Sequence, residues 1–149
     1  MQVRDWMTKG VVWVSGGTSL GKAADLMKVR KIRHLPVMDG KQLMGIVTDR
    51  DLRRAMPAQV KSLEGHDPQN VLNKVCVRDI MTSRIVGVSP DVSIPKAAGL
   101  MYRNKIGCLP VLDEEALVGI ITESDILRAV AEEAGEMALP DASRSQERK

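Results

Sequence analysis

Apolar residues recur along this chain at two spacings, and the change from one to the other predicts its elements. Leu20, Ala23, Ala24 and Met27 fall at i, i+3, i+4 and i+7, which is one face of a helix. The next apolar run, "HLPVMDGKQLMGIVT" from His34, reads as two extended segments joined by a turn at Asp39 and Gly40. Upstream, "VVWV" at Val11 is a short β-rich run, and "SGGTS" after it supplies turn residues with a helix N-cap at Thr18 or Ser19. Thr48 ends the second extended segment and can cap another helix, whose first turn holds the acids of "TDRD", where the helix dipole favours them. The predicted order is strand, helix, strand, strand, helix.

The same order is then written again. "VRDWMT" at Val3, "KIRHLPVMD" at Lys31 and "GIVTDRDLRRA" at Gly45 return as "VRDIMT" at Val77, "KIGCLPVLD" at Lys105 and "GIITESDILRA" at Gly119, each displaced by 74 positions. The helical face returns as Ile94, Ala97, Ala98 and Met101. About half the positions between 3 and 55 are identical to their partners without a gap, so this is a tandem duplication of one supersecondary unit. A unit of some 55 residues buries too little surface to stand comfortably alone. The expectation is that the two copies pack around one shared core.

The expected division is residues 1–60 for the first copy, 61–76 for the connection, 77–134 for the second copy and 135–149 for a frayed tail. Pro57 is expected to close the first unit, and "DPQNVLNKV" to form a short helix with Asp67 as cap and Pro68 at its first position.

Composition narrows the chemistry. Apolar residues make up 44% and charged ones 28%, ordinary for a globular domain. Aromatic residues are only 2%, namely Trp6, Trp13 and Tyr102, too few for a stacking platform on single-stranded nucleic acid. Twenty-two basic residues face nineteen acidic ones, and part of the excess is local, in "RKIRH" and "RDLRR". A patch of that size suits a phosphate-bearing small ligand better than a DNA-length stripe. Cys76 and Cys108 occupy non-equivalent places with no CxxC spacing, which argues against a zinc site or disulfide framework. No apolar run approaches membrane-spanning length and the amino terminus has no apolar signal region, so the expected compartment is the cytoplasm. No nucleophile sits with paired carboxylates, and "SGGTSLGK" lacks the GxxxxGK[ST] spacing of a phosphate loop. The reading is of a protein that is not an enzyme.

What remains is Thr48 with Asp51, and Thr122 with Asp125. A strand ending in Thr and turning into a helix exposes N–H groups that favour an anion. An Asp three residues on can accept hydrogen bonds from the vicinal hydroxyls of a ribose. The plain alternative is that the threonines are helix caps and the acids dipole partners. Cys108 reads as a small buried hydrophobe, Arg53, Arg54 and Arg128 as a solvated helix face, and Trp13 as core or dimer-face packing.

The paired phrases "IRHLPVMD…LMGIVTDRDL" and "IGCLPVLD…LVGIITESDI" resemble a pair of cystathionine β-synthase (CBS) domains, a Bateman module, over residues 1 to about 133. The "VRDWMT" and "VCVRDIMT" openings are similar to CBS proteins of the acetoin-utilisation type, with a tail expected here in place of that group's extra C-terminal domain. The resemblance implies an α/β (α+β) fold of two pseudo-twofold-related β-α-β-β-α repeats packed through their sheets, a disc-like homodimer, and two clefts that take AMP, ADP or ATP. It implies no required cofactor and no metal. Carried over by position, cleft one combines Val47, Thr48, Arg50 and Asp51 with Ile106, Gly107 and Cys108. Cleft two combines Ile121, Thr122, Ser124 and Asp125 with Ile32, Arg33 and His34, with Thr8 and Lys9 nearby. Arg33 and His34 would then make cleft two the better phosphate site. The implied function is a regulatory, ligand-sensing module acting on an unidentified partner protein. The rivals are a basic nucleic-acid-binding module and a ligand-free dimerisation scaffold.

Overall fold

The computed structural model describes residues 1–61 and 72–136. The first copy contributes α1 (Val3–Trp6), β1 (Val14–Ser15), α2 (Leu20–Arg30), β2 (His34–Asp39), β3 (Gln42–Thr48) and α3 (Asp49–Lys61). The second contributes a 3-10 turn (Val77–Asp79), α4 (Ile94–Asn104), β4 (Cys108–Asp113), β5 (Ala116–Thr122) and α5 (Glu123–Glu133). Ser19, not Thr18, caps α2, its hydroxyl accepting the Lys22 amide at 3.1 Å. Leu20, Ala23 and Met27 are buried on the predicted face, and Ile94, Ala97 and Met101 on its counterpart.

Two expectations are corrected. The first strand is Val14–Ser15 and not "VVWV"; in the second copy it shrinks to one parallel bridge, Val88 to Val111. Pro57 does not end its helix, since α3 runs on to Lys61. The helix predicted from Asp67 begins outside the described residues, although 72–74 are helical, and most of the expected tail also lies outside them.

The largest difference concerns the core. The described residues form two buried clusters, one around Leu20, Leu35 and Val47 and one around Ile94, Leu109 and Ile121. Each borrows its last piece from the other copy. Val77 is fully buried in the first cluster and Val3 in the second. The Val3 amide donates to Val92 O at 2.8 Å, and the Val77 amide to Thr18 O at 2.8 Å. Thr8 exchanges two backbone hydrogen bonds with Ile120, and Thr82 does the same with Ile46. The two "VRDxMT" segments are thus swapped, each lying along the final strand of the opposite hairpin and covering its edge.

The residues of that motif explain themselves. Asp5 and Asp79 cap their own short turns by accepting the Gln2 and Cys76 amides at 3.1 and 3.2 Å. The facing glycines make room for the docked segment. A Cβ on Gly45 would stand 2.7 Å from Thr82 O, and one on Gly119 would stand 3.1 Å from Thr8 O. Local periodicity cannot reveal such an exchange, because either pairing satisfies the same pattern.

Candidate functional site

The hairpin registers assemble the site. Antiparallel pairing sets His34 opposite Thr48, and Cys108 opposite Thr122. Each Thr ends its strand and opens a helix through a reciprocal cap. At the first entrance the Thr48 amide donates to Asp51 Oδ2 at 3.0 Å and the Asp51 amide to Thr48 Oγ1 at 3.1 Å. At the second the Thr122 amide donates to Asp125 Oδ2 at 2.9 Å and the Asp125 amide to Thr122 Oγ1 at 3.4 Å. The plain capping role is therefore real for both pairs, and each such cap is worth about 1 kcal/mol.

The entrances differ in what remains free. Asp125 is occupied on both oxygens: Oδ2 also accepts the Thr122 hydroxyl at 3.1 Å, and Oδ1 accepts Arg128 at 3.5 Å. Arg128 is itself held over the Trp6 ring, 5.4 Å from its centroid. Trp6 arrives on the swapped segment. Its counterpart 74 positions on is Ile80, which offers no such ring. Among the described residues Asp51 Oδ1 has no hydrogen-bond partner, and Arg54, the counterpart of Arg128, makes no ion pair.

Asp51 opens onto a cleft of about 390 Å³ built from both copies. That volume lies within the range of about 300–1,000 Å³ common for small-molecule sites. Thr48, Arg50 and Asp51 face Ile106, Gly107 and Cys108 there, six of the seven residues expected together in cleft one. Val47 is fully buried in the first core, so its side chain is withdrawn from the cleft.

Of the residues expected in cleft two, Arg33 and His34 line this first cleft instead, because the register holds them beside Thr48 in their own copy. The guanidinium of Arg33 therefore lies in the same cleft as Arg50 and not beside Thr122, where cleft two was expected to use it. Ile32 packs against the first core and Ile121 is fully buried in the second. Thr122 and Asp125 are half-buried, while Ser124, Thr8 and Lys9 are exposed, with Thr8 bridged to Ile120 beside that entrance.

Sequence reasoning missed Arg84, Lys105 and Glu123 as cleft residues. Arg84 follows the swapped segment and Lys105 follows α4, so neither carries a local signal. His34 reaches across the seam toward Gly107: a Cβ there would be 3.3 Å from His34 Nε2 and 3.6 Å from the Glu123 carboxyl carbon. The larger pair Arg33 and His34 thus meets the smaller pair Gly107 and Cys108.

Burial lowers the His34 pKa; Asp49, Glu123 and Asp51 pull it up without cancelling that effect, and Arg33 adds to the lowering. Burial, helped by the carboxylates of Asp51 and Glu123, pushes the Cys108 thiol up to about 12, which leaves it an unreactive packing group. Trp13 is 54% exposed and does not join the core; it borders a wider depression, about 1400 Å³, at the turn ends of both hairpins.

Two duplicated hairpin-and-helix units with a cleft between them define a tandem-repeat module. The family model described as "CBS domain" matches residues 3–58 and 77–132, and the chain belongs to that family. It is 34% identical to the CBS domain-containing protein YhcV of Bacillus subtilis over 83% of this chain and 81% of that one. It is also 37% identical to an inosine-5′-monophosphate dehydrogenase of Methanocaldococcus jannaschii, but spans only 22% of that much longer protein.

Among solved structures, a Vibrio cholerae protein named for acetoin utilization (AcuB) superposes with a TM-score of 0.78 at 31% identity, covering 91% of this chain and 95% of that one. The CBS domain pair of MJ0100, solved with 5′-methylthioadenosine and S-adenosyl-L-methionine, gives 0.76 at 28% identity over 89% and 98%. CBSX2 in complex with AMP gives 0.73 at 30% identity over 89% and 98%.

Proposed function

We propose that this chain is a regulatory module that binds an adenosine nucleotide, AMP, ADP or ATP, between its two CBS repeats and answers by changing their relative orientation. The observation that carries the reading is the first helix entrance, where Asp51, whose Oδ1 has no hydrogen-bond partner among the described residues, lines a cleft walled by both copies. Similarity to CBS pairs solved with AMP, S-adenosyl-L-methionine and 5′-methylthioadenosine supports an adenosine-type ligand. Because the cleft is shared, a ligand that fits one arrangement of the repeats better than another shifts the balance by its difference in affinity. In this reading the chain catalyses nothing, works in the cytoplasm as a homodimer, and passes the change to a protein partner.

The test is direct. Small molecules released by denaturing the purified chain are identified by mass spectrometry, and its melting temperature is followed as adenosine nucleotides are added. A released adenosine compound, and a concentration-dependent rise in melting temperature that Asp51→Asn removes, support the reading. No rise with any adenosine nucleotide favours the scaffold reading. Salt-sensitive oligonucleotide binding that survives Asp51→Asn favours the nucleic-acid one.

A further inference from the structure

The cleft carries more positive charge than a monophosphate uses. Arg33, Arg50, Arg53, Arg54, Arg84 and Lys105 all line it, against the carboxylates of Asp49, Asp51 and Glu123. Among the described residues, Arg53 is the one of these six cations with an ion pair, to Asp49 at 3.3 Å. Like charges gathered on a concave wall repel one another and focus a positive potential into the space between them. An anion taken into that space relieves both.

Nor is the cluster an echo of duplication. The counterparts of Arg33, Arg50, Arg53 and Arg84 in the other copy are Gly107, Ser124, Leu127 and Gly10, so four of the six charges belong to this side alone. Lys105 adds a conformational observation. It terminates α4 in the left-handed region at φ 53°, where glycine is the unstrained choice. Lys31 holds the equivalent place in the first copy at φ 55°. A lysine at 105 accepts that strain and sets an ammonium group on the cleft wall.

We propose that this cleft selects an adenosine polyphosphate, a ligand with at least two phosphates, over a monophosphate and over uncharged or cationic adenosine derivatives. The inference rests on the adenosine-binding reading above. Asp51 serves the sugar, and Arg50, Arg84 and Lys105 serve the phosphate chain.

Calorimetric titration of the full chain with ATP, ADP, AMP, adenosine and S-adenosyl-L-methionine tests it. Affinity should rise from AMP to ATP by about ten-fold or more, and added salt should narrow the gap. Arg84→Gln combined with Lys105→Gly should bring ATP down to the level of AMP and leave adenosine unchanged. Lys105→Gly relieves a left-handed residue, so a loss of ATP affinity at an unchanged or higher melting temperature cannot come from misfolding. Equal affinity for AMP and ATP, or tightest binding of S-adenosyl-L-methionine, overturns the polyphosphate preference and leaves the adenosine reading standing. If inorganic tripolyphosphate binds while Asp51→Asn changes nothing for ATP, the adenosine reading falls instead.

Discussion

The two helix entrances, Thr48 with Asp51 and Thr122 with Asp125, share one backbone solution and differ in what surrounds it. At the second, Arg128 is clamped between Asp125 and Trp6, and the carboxylate is spent within the protein. At the first, Ile80 is the counterpart of Trp6, and among the described residues Arg54 makes no ion pair and Asp51 Oδ1 has no hydrogen-bond partner. Both copies thus carry the same helix cap, and the ring that a swapped segment brings to Arg128 at one entrance has Ile80 as its counterpart at the other. A TxxD phrase by itself reports the cap and not the site.

That contrast can be broken at several points. The largest effect should come from undocking the swapped segments. Gly45→Ala forces a Cβ against Thr82 O at 2.7 Å, whereas Gly119→Ala meets Thr8 O at a more forgiving 3.1 Å. Urea unfolding should show a loss of about 2–3 kcal/mol for the first and about 1–2 kcal/mol for the second. Equal losses would mean that the two dockings do not differ as described.

A smaller change sharpens the comparison. Arg128→Ala removes the clamp on Asp125, at a cost of about 0.5–1 kcal/mol in stability. It should create a second, weak nucleotide-binding event in calorimetry. If the number of events does not change, the clamp is not what closes the second entrance.

The smallest effect concerns pH. His34 has Cys108 as its counterpart, and only the histidine titrates near neutrality. Its pKa is depressed in the folded chain, so between that lowered value and its ordinary value of about 6.5 the unfolded chain binds more protons. Stability should then fall as pH drops through that window, and His34→Gln should flatten the melting temperature there. A wild-type chain that grows more stable on acidification would contradict the assignment.

Much of this was legible before any coordinates. The repeat, the helical faces, a cap at Thr18 or Ser19 and the hairpins follow from spacing and turn residues, because each is a local matter; the structure selects Ser19. Burial of Cys108 beside Leu109 was equally plain. The swap of Val3 and Val77 was not, since two copies of one motif fit either partner equally well on paper. For the same reason one core was expected where two exist. The gathering of charge was hidden because Arg84, Lys105 and Arg33 come from separate elements and meet only through the hairpin register and the seam. Pro57 misled because proline is a poor helix residue, yet α3 continues through it.

The most direct measurement is the number of nucleotides held per chain at saturation, by equilibrium dialysis, for the wild type, Asp51→Asn and Asp125→Asn. The account predicts one tightly held nucleotide, lost with Asp51→Asn and kept with Asp125→Asn. Two equivalent nucleotides per chain, or a single one lost only with Asp125→Asn, would contradict it.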